Sequence, residues 1–301
     1  MVAAKSVRAP AGVRFPAPQS PLKEPTVSPQ DKTALLEFDQ IYNMDSVQGM
    51  RLLPPESVNL IVTDPPFAID FRAQRGNYNR TGSRVIEGYN EIESKDYLDF
   101  TRSWMREASR VLADSGGMFV FSGWNNLKDI LIAADELGLI TVNHLIWKYQ
   151  FGVVCKRRFV TSHYHCLYFC KNDKARVFFN SSRFAQYETA EEGGSLRYRD
   201  LEDVWVIKRE YWHGDKKTPT KLPRELIEKI LDYTSLEGHI VLDPFLGSGQ
   251  VAVVAKLRKR RFVGFEIVKD YYDFAKERLD KGLYRLRDDK DEATPDVLGD
   301  K

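Results

Sequence analysis

The chain has 301 residues, 43% of them hydrophobic, and sets 45 Lys and Arg against 43 Asp and Glu for a net charge of +2. That length and apolar content can fill one large core, and the charge balance means that any surface for a polyanion must be a local patch. Three cysteines (Cys155, Cys166 and Cys170) are too few, and odd in number, for a disulfide framework; no apolar run approaches the ~20 residues of a membrane span. These features exclude a disulfide scaffold and a membrane protein, and point to the cytoplasm.

Residues 1–30 are rich in Pro, Ala and Ser, lack the apolar core of a signal peptide and read as a flexible tail. Residues 31–286 read as the folded unit and 287–301 as a charged tail. Within the unit, strand-like and helix-like segments alternate. "SVNLIVTD" is a buried strand. Tyr97 to Leu112 is a helix with Leu98, Thr101, Met105, Ala108 and Leu112 on one face. "MFVF" (118–121) is a short strand, and a helix over about Asn126 to Leu137 is capped by Gly138. Strands follow at "TVNHLIWKY", "HYHCLYFCK" and "ARVFF". "PRELIEKILDY" is a helix with Pro223 in its first turn. "HIVLDPF", a glycine turn, a helix from about Gln250, the strand "RFVGFEI" and a helix from about Lys269 complete the series. The fold class is therefore α/β: a doubly wound, mostly parallel sheet with helices on both faces. Ligands of such sheets bind beyond the carboxyl ends of the strands, where Asp64 and "DPFLGSG" should lie.

Two motifs carry chemistry. In "VLDPFLGSGQVAVVA" (241–255), Gly247-x-Gly249-x-x-Ala252 fits a dinucleotide fingerprint. Glu266 follows Gly247 by 19 positions at the end of the next strand, the place of a ribose clamp. The loop suits any cofactor with a free adenosine ribose, NAD and S-adenosylmethionine alike. Just upstream, "HGDKKTPTKLP" offers Thr220 and Lys221 to a small carboxylate. The second motif is Asp64-Pro65-Pro66-Phe67. Two consecutive prolines remove two donors and fix two φ angles, leaving a rigid cluster of acceptors past the strand. Such a cluster can accept both N–H groups of a planar base amine and localise its lone pair, while Phe67 stacks on the base.

These residues resemble the amino-methyltransferases that act on exocyclic amines of DNA bases and use S-adenosyl-L-methionine. Their catalytic motif is Asp/Asn/Ser-Pro-Pro-aromatic, and its position before the cofactor motif marks the permuted, beta-type order, which implies a Rossmann-like methyltransferase fold. The resemblance covers about Asp45 to Leu279. It implies Asp64 and the Pro65 carbonyl as acceptors for the target amine, with Pro66 completing the turn and Phe67 on the base. Asp243, Phe245, Gly247, Ser248 and Gly249 would floor the cofactor site and Glu266 would clamp the ribose. Thr220 and Lys221 would meet the methionine carboxylate, with Asp45 a candidate for the adenine. Gln250 stands where Thr is expected, and Phe67 replaces the commoner Tyr. Asp at position 64 favours adenine N6 over cytosine N4, where Ser is usual.

Duplex DNA as partner needs phosphate contacts. Lys156, Arg157 and Arg158, interleaved with aromatics in 148–165, form one candidate strip. The loop 72–84, with Arg72, Arg75 and Arg80, forms another that could close over a flipped base. In the family the target-recognition insert would fall at about 172–212. A homodimer and a cognate restriction endonuclease are further partners to expect. His163 and His165 face away from Cys166 and Cys170 in a strand, so no metal site is expected. Outside this reading stand a cytosine-N4 enzyme, a nicotinamide-dependent oxidoreductase, which leaves Asp64-Pro-Pro-Phe67 without a role, and a non-catalytic DNA-binding module.

Overall fold

A computed structural model describes residues 36–67, 92–149, 157, 159–180, 201–210 and 221–281. Its elements run β1 (Gln40–Tyr42), α1 (Ser46–Arg51), β2 (Val58–Thr63), α2 (Tyr97–Val111), β3 (Leu112–Ser122), a 3₁₀ turn (Trp124–Asn126), α3 (Leu127–Glu136), β4 (Ile140–Lys148), β5 (His163–Cys170), β6 (Val204–Val206), α4 (Arg224–Thr234), β7 (Ile240–Asp243), α5 (Gln250–Leu257), β8 (Arg261–Phe265) and α6 (Lys269–Asp280).

The strands form one sheet in the order β1-β8-β7-β2-β3-β5-β4-β6. All neighbouring pairs are parallel except those of β5, which runs against both β3 and β4. The chain leaves β2 toward β3 and leaves β7 toward β8, in opposite directions across the sheet. The boundary between β2 and β7 is therefore the topological switch point, where a crevice opens above the strand ends. Leu60 pairs with Val241 and Ile61 with Leu242, so residues about 180 positions apart end side by side.

Both sheet faces are covered, as the continuous apolar runs of the central strands require. Leu60 and Val62 of β2 face a core with α4, α5 and α6, including Leu226, Ile230, Val254 and Ala275. Val58 and Ile61 face α1, α2 and α3, where Trp104, Met105, Ile130 and Ala133 are buried. The fold thus agrees with the doubly wound reading, and the differences are local. The buried face of α2 is Tyr97, Thr101, Trp104, Met105, Ala108 and Val111, while Leu98 is half-buried and Leu112 already belongs to β3. The bulky Trp104 and Tyr97 take the central stripe that Leu98 was expected to share. Strand β3 starts six residues before "MFVF", at the end of α2, because a register shift between Val58 and Leu60 accommodates its longer pairing with β2.

"ARVFF" is not a strand. Asn172 accepts from the Lys174 and Ala175 amides in a side-chain-closed turn, and the amides of Val177 and Phe179 then donate to separate elements, at Ser115 and Tyr233. Pro223 caps α4 in an extended conformation rather than lying inside it. Part of the expected insert 172–212 belongs to the sheet: β6 pairs with β4, and Trp205 is buried. Its residues 181–200, 211 and 212 lie outside the described residues, as do both expected tails 1–30 and 287–301.

Helix α1 lies close against β8. A Cβ on Gly49 would stand 2.3 Å from the Phe265 ring, itself 1% exposed. Gly49→Ala should therefore destabilise the protein by about 1–3 kcal/mol through overpacking. The expected result in urea denaturation is a lower midpoint with an unchanged slope.

Candidate active site

Strand β2 ends at Thr63, and Asp64 follows at the strand end, half-buried as a residue but with its carboxyl turned away from water. The Tyr164 hydroxyl donates to Asp64 Oδ1 at 3.1 Å. Burial pushes the Asp64 carboxyl up to about 7, the Tyr164 hydrogen bond pulls it down, and the charge of Asp243 adds to the rise. Pro65 is buried, Pro66 and Phe67 are half-buried, and the Phe67 ring meets Tyr164 edge-on at 5.8 Å. The Phe67 carbonyl accepts from the Ile92 amide at 3.4 Å.

One strand over, β7 ends at Asp243. Its carboxylate accepts from Thr63 Oγ1 at 3.0 Å and from the Phe245 amide at 3.1 Å. Burial dominates over these bonds and, with the charge of Glu266, brings this carboxyl too up to about 7. The Phe245 ring packs edge-on against Trp104 at 5.6 Å. The turn then takes positive φ at Gly247 (53°) and Gly249 (76°), which L side chains adopt only with strain. Gly249 also lets α6 approach, since a Cβ there would stand 2.8 Å from that of Ala275.

Glu266, after β8, holds this turn. Its two carboxylate oxygens accept from the Gly247 and Val268 amides, each at 2.8 Å, and burial raises its pKa. Asp45 lies across the opening, where its Oδ1 caps α1 by accepting from the Gln48 amide at 3.0 Å.

These groups enclose one cavity of about 340 Å³, within the range of small-molecule sites. Asp64 and Pro66 line it, as do Asp243, Phe245, Gly247 and Ser248 of the glycine turn. Asp45, Glu266, Val268 and Tyr271 also line it, and Lys221 and Gln250 contribute to the wall. The cavity combines carboxylates with apolar surface and presents no metal-ligating cluster among the described residues. That donor set fits a nucleoside bearing a cation: ribose hydroxyls can donate to Glu266, apolar side chains can flank a purine, and a positive centre is favoured beside Asp64 and Asp243.

Lys221 lines the cavity with its charge already partnered. Its ammonium pairs with Glu210 at 2.7 Å, and its side chain is 3% exposed. Glu210 also accepts from the Arg224 amide at 2.8 Å and from Gln250 Nε2 at 3.4 Å. The Gln250 amide oxygen in turn accepts from fully buried Arg278 at 2.7 Å, and Arg278 donates to the Ser248 carbonyl as well. The residue that stands in place of Thr is thus the joint of a polar chain that fixes the cavity wall.

Arg157 is exposed. Thr220, Lys156, Arg158, Arg72, Arg75 and Arg80 lie outside the described residues. Cys166 and Cys170 are buried, whereas His163 and His165 point to the other face, where His165 Nδ1 lies 2.7 Å from His144 Nε2. Sequence reasoning missed Tyr164 and Tyr271, whose roles depend on which strand and helix come to lie beside the motifs.

The doubly wound sheet, the carboxylate-lined crevice at its switch point and the order of the two motifs define a Rossmann-like methyltransferase. The sequence profile of the N6/N4 DNA methylases matches residues 58–277, and the chain belongs to that family of DNA methyltransferases. It is similar to the Type II methyltransferase M2.LlaDCHI of Lactococcus lactis subsp. cremoris, with 30% identity over 254 residues, 80% of this chain and 89% of that protein. Its fold is shared with TTHA0409 of Thermus thermophilus, solved in complex with S-adenosyl-L-methionine (TM-score 0.57, 24% identity, 80% of this chain and 92% of that one). It is also shared with the cytosine-N4-specific PvuII DNA methyltransferase (TM-score 0.62, 18% identity, 86% and 89%).

The raised Asp243 carboxyl links stability to pH. A carboxyl whose folded pKa lies above its unfolded value binds its proton more tightly when folded. Its stabilising contribution is complete below the unfolded pKa and is lost as pH rises through about 7. Asp243→Asn should therefore stabilise the ligand-free protein at pH 8 more than at pH 5, by about 1 kcal/mol or more. Thermal melts at the two pH values check the sign of that difference.

Proposed function

We propose that this protein is a site-specific DNA methyltransferase that transfers a methyl group from S-adenosyl-L-methionine to the N6 amino group of an adenine flipped out of duplex DNA. The observation that carries the reading is the position of Asp64 at the wall of the cavity whose other walls are the glycine turn and Glu266. A base held at Asp64 and a donor held at Glu266 would share one enclosure.

When bound, S-adenosylmethionine supplies an electrophilic methyl on a cationic sulfur. Glu266 orients the adenosine through the ribose hydroxyls, and Asp45 borders the same pocket. Gly247 and Gly249 let the backbone approach, with Asp243, Phe245 and Ser248 as the floor. Thr220 and Lys221 would meet the methionine carboxylate, Lys221 sharing its charge with Glu210. Asp64 and the Pro65 carbonyl accept the two N–H groups of the amine, which directs the nitrogen lone pair at the methyl carbon. Phe67 stacks on the base. The N–C bond forms as the S–C bond breaks, and the amine then loses a proton to Asp64 or to water. Alignment and amine polarisation supply most of the rate.

The aspartate at position 64 supports adenine rather than cytosine. Arg72, Arg75 and Arg80, with Lys156, Arg157 and Arg158, would hold DNA phosphates, and residues between 172 and 212 would read sequence. A homodimer and a cognate restriction endonuclease belong to the same reading, as does a cytoplasmic site of action; among the described residues no helix is long and apolar enough to cross a membrane.

Incubation with methyl-labelled S-adenosylmethionine and unmethylated duplex DNA, followed by digestion to nucleosides, should place the label in N6-methyladenine. Label in N4-methylcytosine would keep the mechanism and change the base; no label on sequence-diverse DNA would contradict the reading. Asp64→Ala should lower the rate by about 10³-fold or more while cofactor binding persists. Glu266→Ala should instead weaken cofactor binding by about tenfold or more, as loss of a charged hydrogen-bond acceptor implies. Calorimetry on both variants separates the two effects.

A further inference from the structure

Strand β5 runs against its neighbours and so brings its amino end, with Tyr164, to the carboxyl end of β2. The tyrosine hydroxyl donates to Asp64 Oδ1 at 3.1 Å. Its ring is wedged edge-on between Phe67, at 5.8 Å and 83°, and Trp147, at 6.2 Å and 84°. Trp147 pairs with Tyr164 across β4 and β5 and is itself fixed by donating from its indole to the Ile207 carbonyl at 2.9 Å. The hydroxyl is thereby aimed by the sheet and by two aromatic contacts.

We propose that Tyr164 is a positioning residue for methyl transfer: by donating to Oδ1 it presents the other oxygen of Asp64 to the target amine and holds the carboxyl in its charged, accepting form. This rests on Asp64 being the acceptor for that amine.

The electrostatics around Asp64 give such a donor a role. Among the described residues, the groups that face it are Tyr164 and the Cys166 thiol from β5, Asp243 from β7 and Tyr97 from α2, none of them a cation. Burial pushes the Cys166 thiol up and Tyr97 up to about 12, so both are neutral near pH 7. Asp243 is a like charge. Desolvation and Asp243 both favour the protonated acid, and the Tyr164 hydrogen bond opposes them. A protonated Asp64 would keep only a neutral, weaker acceptor and add an O–H donor that competes with the amine, so it would direct the lone pair less well.

The test is the pH dependence of kcat for methyl transfer to duplex DNA by the full chain, comparing wild type with Tyr164→Phe, which keeps the ring and its edge contacts. The acidic limb should move up by about one pH unit, the size expected for a lost hydrogen bond to a charged group. At the acid end kcat should then fall about tenfold further than at pH 9, with KM for S-adenosylmethionine unchanged. Substituting 3-fluorotyrosine at position 164, a stronger donor of the same shape, should move the limb down. A Tyr164→Phe profile parallel to wild type at every pH, or a fluorotyrosine limb that does not move, overturns the proposal. Asp64→Ala run alongside separates the two levels: if it transfers methyl as wild type does, the assignment of Asp64 fails; if it is inactive and the limbs stay fixed, the role of Tyr164 alone fails.

Discussion

The parallel pairing of β2 with β7 is the constraint on which the rest depends. It sets the ends of two strands from distant parts of the chain beside each other, tied by the hydrogen bond from Thr63 to Asp243. From that seam the chain winds away in both directions, so the crevice between Asp64 and the glycine turn is left open rather than covered by a crossover helix. The order of the motifs along the chain is immaterial to this geometry. A strand pair formed through space does not record which partner was made first.

The seam also concentrates negative charge. Asp64 and Asp243 sit one strand apart, both largely removed from water and both with pKa values raised to about 7. Burying two carboxylates without a cation is unfavourable for the empty protein. The arrangement becomes favourable when a cationic centre enters the cavity, which is what a sulfonium donor brings. A cost in the ligand-free state and an affinity for the donor would then be two consequences of one charge distribution. The hydrogen bonds from Thr63, Tyr164 and the Phe245 amide keep both side chains aimed while that charge is uncompensated.

Much of this was legible in the sequence. The apolar run before Asp64 and the strand, turn and helix around Gly247 are local patterns, and the Gly247 to Glu266 spacing locates the acidic residue at the next strand end, where its carboxylate meets the Gly247 amide. Strands β1 and β6 were not legible, because three residues are too few to show alternation. "ARVFF" misled because its β-branched and aromatic composition imitates a strand while the Asn172 turn sends its amides to different partners. Tyr164 was hidden for a further reason: its role follows from the antiparallel register of β5, which lies with no sequence-local signal 100 positions from Asp64. Lys221 was expected to meet a small carboxylate, and only the fold shows Glu210 already beside it.

The most direct test of the account is a crystal structure of the protein with S-adenosylhomocysteine bound. The expected result is ribose hydroxyls on the Glu266 carboxylate, the adenosine within the cavity, and the sulfur directed at the Asp64-Pro65-Pro66 turn. A ligand whose sulfur is walled off from Asp64, or whose ribose lies away from Glu266, would contradict it.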